Sequence, residues 1–144
     1  MKVRDILRAK GDQVFSVSPY QTMQDVVRIL MAHRIGALLV VEEGGRTVGI
    51  VTERDVLREC LDGADRLAHI LVRDAMTREL VVGCPDDSID EAMSTMTHHR
   101  VRHLPIIDEN QIAGMISIGD AVKASLDETA YENGFLREYI QGRT

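Results

Sequence analysis

Aromatic residues are nearly missing from this chain. They make up 3% of its 144 residues, and tryptophan is absent. The core must therefore rest on Val, Ile, Leu, Met and Ala. Cysteine is scarce too: Cys60 and Cys84 form neither a CxxC pair nor a disulfide framework. That usage fits a reducing cytoplasm. No apolar run approaches the ~18 residues of a membrane span, and the opening Met1-Lys2-Val3-Arg4-Asp5 carries no apolar signal region. Positive charge does not prevail either. Seventeen Lys and Arg face 23 Asp and Glu, and the net charge of −6 argues against non-specific nucleic-acid binding. What is present is ordinary globular composition, 44% hydrophobic and 28% charged. The expectation is a soluble, cytoplasmic protein with enough chain for one compact core.

The chain repeats itself. Val3 to Leu7 predicts a short helix ended near Gly11, and Val14 to Val17 a short strand closed by Pro19. Thr22 with Asp25 forms a capping-box pattern. Met23, Val26, Val27, Leu30 and Met31 then form one apolar face of a helix that stops near Gly36. Ala37 to Val41 is a continuous apolar run, read as a strand buried on both sides. Glu42 to Arg46 makes a hairpin turn, Thr47 to Val51 a return strand, and Thr52 opens a helix to about Leu61.

The pattern then restarts: Val72-Arg73-Asp74 repeats Val3-Arg4-Asp5. Pro85 and Ser88 lie 66 residues after Pro19 and Thr22, and Ser88 with Glu91 is again a capping-box pattern. After a one-residue loss in the turn Asp108 to Gln111, Gly114, Ser117 and Asp120 lie 65 after Gly49, Thr52 and Asp55. A hairpin tip tolerates such a loss. The fold class is α+β: two pseudo-twofold-related β-α-β-β-α repeats over 1–70 and 71–126, with a helical extension over 127–144. One repeat alone could hardly bury its sheet face; a pair can. In the extension, Ile118, Ala121, Val122, Ser125 and Leu126 continue an apolar stripe. Asn133-Gly134 is expected to kink or end the helix, and Leu136, Tyr139 and Ile140 add a further apolar set. These apolar residues point to a second subunit, or to a helix folded back on its own core.

The two stretches Gly49-Ile50-Val51-Thr52-Glu53-Arg54-Asp55 and Gly114-Met115-Ile116-Ser117-Ile118-Gly119-Asp120 carry a resemblance. Together with Arg102-His103-Leu104-Pro105-Ile106-Ile107-Asp108, they resemble a tandem pair of CBS domains, named after cystathionine β-synthase, over about residues 1–126. The match looks like a stand-alone pair. The resemblance implies a regulatory module that binds an adenine nucleotide or relative (AMP, ATP, NAD or S-adenosylmethionine) in clefts between its repeats. It also implies a disc-like homodimer that passes occupancy to an effector protein. No catalytic cofactor is implied.

The residues permit such binding on their own chemistry. Helix N-termini favour phosphate. Thr52 and Ser117 stand at two of them with hydroxyls to donate. Asp55 and Asp120, in the first turns, could accept a ribose diol. Ile50 and Met115, on the preceding strands, could pack against a base. Where the second repeat has Arg102-His103 the first has Gly36-Ala37, so the Ser117–Asp120 site should prefer the phosphate-rich ligand. Gly36 and Ala37 leave room for a base or ribose. Arg54 could reach a phosphate; Arg34, Arg58, Arg100 and Lys123 read as ordinary helix-surface charges. Capping boxes alone also explain Thr52 with Asp55 and Ser117 with Asp120. No triad order or Gly-rich phosphate loop points to an enzyme, and no His or Met spacing points to a metal. The alternative to a nucleotide sensor is a pure interaction module with unoccupied clefts.

Overall fold

A computed structural model describes residues 1–140, with the side chains of all of them except Tyr131 and 133–140. Contacts divide the chain into two compact units, Val14–Leu80 in one and Met1–Gln13 with Val81–Thr144 in the other. The sequence repeats and the compact units therefore do not share boundaries. The first helix of the chain belongs with the second repeat, and the helix that opens the second repeat belongs with the first.

In the Val14–Leu80 unit, β1 (Ser16–Val17) runs parallel to β2 (Ala37–Val41), which pairs antiparallel with β3 (Thr47–Thr52). The continuous apolar run of β2 is buried as expected: Ala37 to Val40 are all buried. The helix α2 (Met23–His33) starts at Thr22, whose hydroxyl accepts the Asp25 N–H while the Asp25 carboxylate accepts the Thr22 N–H. It ends at His33, three residues before Gly36, where Arg34 turns left-handed at φ 54°. Met23, Val26 and Leu30 pack on Val17, Leu38, Val40 and Val51. Met31, placed by period on the same face, is instead 75% exposed. The helix α3 (Glu53–Glu59) passes into a 3-10 turn at Cys60–Asp62, and α4 (Val72–Ala75) closes the unit.

The other unit holds α1 (Val3–Lys10), α5 (Ile89–His99), the hairpin β4 (His103–Asp108) with β5 (Gln111–Ser117), and α6 (Ile118–Ile140). Ser88 and Glu91 form the expected capping box of α5. The strand expected before α5 shrinks to one bridge, Gly83 to Ile106. Pro85 next to it has no N–H to extend the pairing. Val3, Ile6, Ile89, Met96, Leu104, Ile106, Ile116 and Ala121 form the core. Of the predicted stripe on α6, Ala121 is buried and Ile118 packs against the core, but Ala124 replaces the rest of it, leaving Val122 and Leu126 at 40% and 64% exposure. The helix runs through Asn133-Gly134 without a break. The side chains of Leu136, Tyr139 and Ile140 lie outside the described residues.

The exchange of α1 and α4 has one local cause, used twice. Val3 and Arg4 donate backbone N–H groups to Asp87 and Pro85 carbonyls, both at 2.9 Å. Val72 and Arg73 donate in the same way to Gln21 and Pro19, at 2.8 and 2.9 Å. The opening N–H groups of each helix, which have no partner within it, are thus met by the Pro-containing turn of its own unit. Among the described residues, no helix is long and apolar enough to cross a membrane.

Candidate functional site

Each unit has one corner where a strand turns directly into a helix. At β3–α3, the Thr52 hydroxyl accepts the Asp55 N–H at 3.4 Å, and Asp55 Oδ2 accepts the Thr52 N–H at 2.9 Å. At β5–α6, the Ser117 hydroxyl accepts the Asp120 N–H at 3.1 Å, and Asp120 Oδ2 accepts the Ser117 N–H at 2.8 Å. The next amide of each helix is also met. Glu53 N–H donates to Gly36 O at 3.1 Å, and Ile118 N–H to Arg102 O at 2.8 Å. Capping is therefore realised at both corners, and Gly36 and Arg102 serve it through their carbonyls.

Beyond capping, the corners differ. Asp55 is buried, at 3% exposure. Its Oδ1 forms an ion pair with the Arg58 guanidinium at 3.0 Å and accepts the Thr77 hydroxyl at 3.4 Å, and its Oδ2 also accepts the Thr52 hydroxyl at 3.3 Å. Both carboxylate oxygens are engaged, and the Thr52 proton is spent on the same carboxylate. Arg58 also donates to Ala75 O at 2.8 Å, so it ties α3 to α4 rather than standing as a free surface charge. Asp120 keeps 27% of its side chain exposed and meets a lysine, Lys10, from the end of α1 at 2.7 Å. Lys10 Nζ also donates to Met115 O at 3.0 Å. Partial burial pushes the Asp120 carboxyl up, but hydrogen bonds from Lys10 and Ser117 outweigh it and hold it below the usual carboxylate range.

The difference traces to helix length. α4 ends at Ala75, so the chain unwinds and Thr77 pairs with β3: Ile50 donates to Thr77 O at 2.9 Å and accepts its N–H at 2.8 Å. α1 stays helical to Lys10, and among the described residues no backbone forms the matching bridge to Met115. The Lys10 ammonium takes over as donor to that carbonyl. Ile50 is accordingly buried at 8% exposure, while Met115 is half-buried. Ala37 is buried at 5% exposure, opposite Thr52 in the β-ladder. His103 is half-buried, opposite Ser117, with exposed Arg102 beside it. Arg54 is exposed.

Of the residues singled out from sequence, Ser117, Asp120, Met115, His103 and Arg102 thus share one corner, and Gly36, Ala37, Ile50, Thr52 and Asp55 the other. Lys10, Arg58 and Thr77 were missed. Lys10 lies 110 residues from Asp120, and nothing in its local pattern signals the pairing. Arg58 was legible as an i,i+3 partner of Asp55.

The CBS domain family model matches residues 3–62 and 72–127. The chain belongs to the CBS domain family. Each of its two matched CBS segments contains one of the corners just described. It is similar to the CBS domain-containing protein YhcV of Bacillus subtilis, 39% identical over 120 residues that cover 82% of this chain and 84% of that protein. Among solved structures, it is similar to a CBS-domain containing protein from Agrobacterium tumefaciens, with 36% identity and a TM-score of 0.83 over 86% of this chain and 92% of that one. A CBS domain protein from Pyrobaculum aerophilum, solved in complex with AMP, shares the fold at 23% identity and a TM-score of 0.72, over 83% of this chain and 89% of that one.

Proposed function

We propose that this CBS pair is a regulatory, non-catalytic module that senses an adenine nucleotide or relative, of the class of AMP, ATP, NAD or S-adenosylmethionine. The phosphate-bearing ligand is assigned to the β5–α6 corner. The observation that supports this is the half-open Asp120 carboxylate, with Lys10, Ser117 and the Arg102–His103 strand start around it. A carboxylate there can accept a ribose diol, and the cations can meet a phosphate. Met115 is assigned the packing on the base. In the conformation described, Asp55 has no free oxygen for a diol. The set Gly36, Ala37, Ile50, Thr52 and Asp55 is therefore assigned the weaker or phosphate-free ligand. The adenine preference draws on the AMP held by a fold neighbour, and the cytoplasmic setting on cysteine usage.

Occupancy is proposed to reach an effector protein through a homodimer. What supports a dimer surface is a pair of exposed apolar residues one helical turn apart at matched repeat positions. Leu57 and Leu61 are 70% and 84% exposed, and Val122 and Leu126 are 40% and 64% exposed. Exposed apolar residues grouped in this way mark interaction surfaces.

Thermal unfolding with AMP, ATP, NAD and S-adenosylmethionine tests the sensor. A ligand at 100 times its Kd adds about 2.7 kcal/mol, and Asp120→Ala should abolish that gain while the protein stays folded. No shift with any of the four leaves the pure interaction module as the better account.

A further inference from the structure

Lys10 stands where the other CBS unit uses backbone. In the Val14–Leu80 unit the strand carbonyl of Ile50 is met by the Thr77 N–H. In this one the matching carbonyl, Met115 O, is met by an ammonium that also holds Asp120. Backbone pairing would satisfy the carbonyl without placing any charge at the corner. An ammonium has three donors, and two of them have these acceptors.

Resting on the nucleotide reading above, we propose that Lys10 is the residue by which the β5–α6 corner selects a phosphate-bearing nucleoside, and that its ion pair with Asp120 is the contact such a ligand exchanges. Asp120 alone would repel a phosphate placed near it. Lys10 neutralises that carboxylate at 2.7 Å and stays anchored through Met115 O at 3.0 Å. The pair is also easily opened. Lys10 is 40% exposed and Asp120 27%, and ion pairs this open contribute little to stability. A ribose diol that donates two hydrogen bonds to the carboxylate can displace the ammonium, which then turns to the phosphate without leaving Met115 O. Because Lys10 is the last residue of α1, the exchange bears on the end of that helix, where Gly11 N–H caps Leu7 O at 2.8 Å.

The test is calorimetric affinity for adenosine, AMP and ATP in the full chain, for the natural protein and for Lys10→Gln and Lys10→Arg. Gln keeps a donor for Met115 O and loses the charge; Arg keeps both. Lys10→Gln should lower the ATP-to-adenosine affinity ratio at least about tenfold, as expected for one charge-assisted hydrogen bond. Adenosine should bind as well or better, and Lys10→Arg should restore most of the ratio. An unchanged ratio, or equal loss for all three ligands, would show a purely structural lysine and overturn the proposal while leaving the sensor standing. A natural protein that binds none of the three would overturn this proposal, and the sensor reading would then fall as well if NAD and S-adenosylmethionine also fail to bind.

Discussion

Gly49 and Gly114 hold the same place in the two CBS repeats, yet the same substitution should affect them unequally. A Cβ at Gly49 would sit 2.7 Å from the Thr77 carbonyl oxygen and 2.9 Å from Met76 Sδ. A Cβ at Gly114 would sit 2.7 Å from Leu7 Cδ2. Both fall about 0.7 Å short of ordinary contact. Neither glycine has a left-handed φ, so backbone strain plays no part and only the obstacle differs. Leu7 Cδ2 is the far end of a flexible side chain and can rotate. Thr77 O belongs to backbone whose N–H is bonded to Ile50 O at 2.8 Å, so moving it breaks a ladder pair. Overpacking of this kind costs about 1–3 kcal/mol, and replacing Gly in a strand returns about 0.5–1 kcal/mol. Gly49→Ala should thus destabilise by about 1–2 kcal/mol, and Gly114→Ala by less than about 1 kcal/mol. Urea unfolding followed by far-ultraviolet circular dichroism measures both. Equal losses, or a larger loss for Gly114→Ala, would refute the reasoning from obstacle stiffness.

The two aspartates should divide in the opposite sense for stability and for binding. Asp55→Ala removes a cap and strands Arg58 and Thr77 beside a buried position, a loss of about 2–4 kcal/mol in urea unfolding. Asp120→Ala should cost only about 1 kcal/mol, and a larger loss than for Asp55→Ala would contradict the burial difference. Acid should also find Asp120. Its carboxyl is lowered in the folded state, so its contribution is complete above the unfolded value of about 3.9 and is lost as pH falls through the lower folded value. Thermal midpoints of Asp120→Asn and the natural protein should converge below about pH 4. A gap between them that closes already between pH 7 and 5 would assign the effect to another group.

Much of the fold was legible because its signals are local. Thr22 with Asp25, Thr52 with Asp55 and Ser88 with Glu91 each start a helix within four residues, and each helix begins where the pattern placed it. Register follows from the same repetition: the irregularity at Val40/Val41 recurs at Ile106/Ile107, 66 residues on. Illegible features were those that depend on distant chain. Met31, Val122 and Leu126 sit at core spacing but outside the cores, because periodicity fixes a face and not which part of it a neighbour covers. The exchange of α1 and α4 was hidden too, since a linear repeat cannot show which copy a helix joins. Lys10 was hidden for the same reason: it reaches Asp120 only once α1 has joined the second repeat.

Capping and ligand binding are usually set against each other as explanations of a Thr or Ser followed three residues later by Asp. The two corners differ in how much of the carboxylate remains open once capping is satisfied. The capping bond uses one lone pair of one oxygen, from the Thr52 or Ser117 N–H, and leaves the rest of the carboxylate available. At Asp55 that remainder is consumed by Arg58, Thr77 and the Thr52 hydroxyl at 3% exposure. At Asp120 a half-exposed lysine pairs with the already capped oxygen, in a contact that water weakens. One motif thus gives a closed corner in one repeat and a half-open one in the other. The distinction was set outside the motif, by α1 remaining helical for eight residues where α4 stops after four.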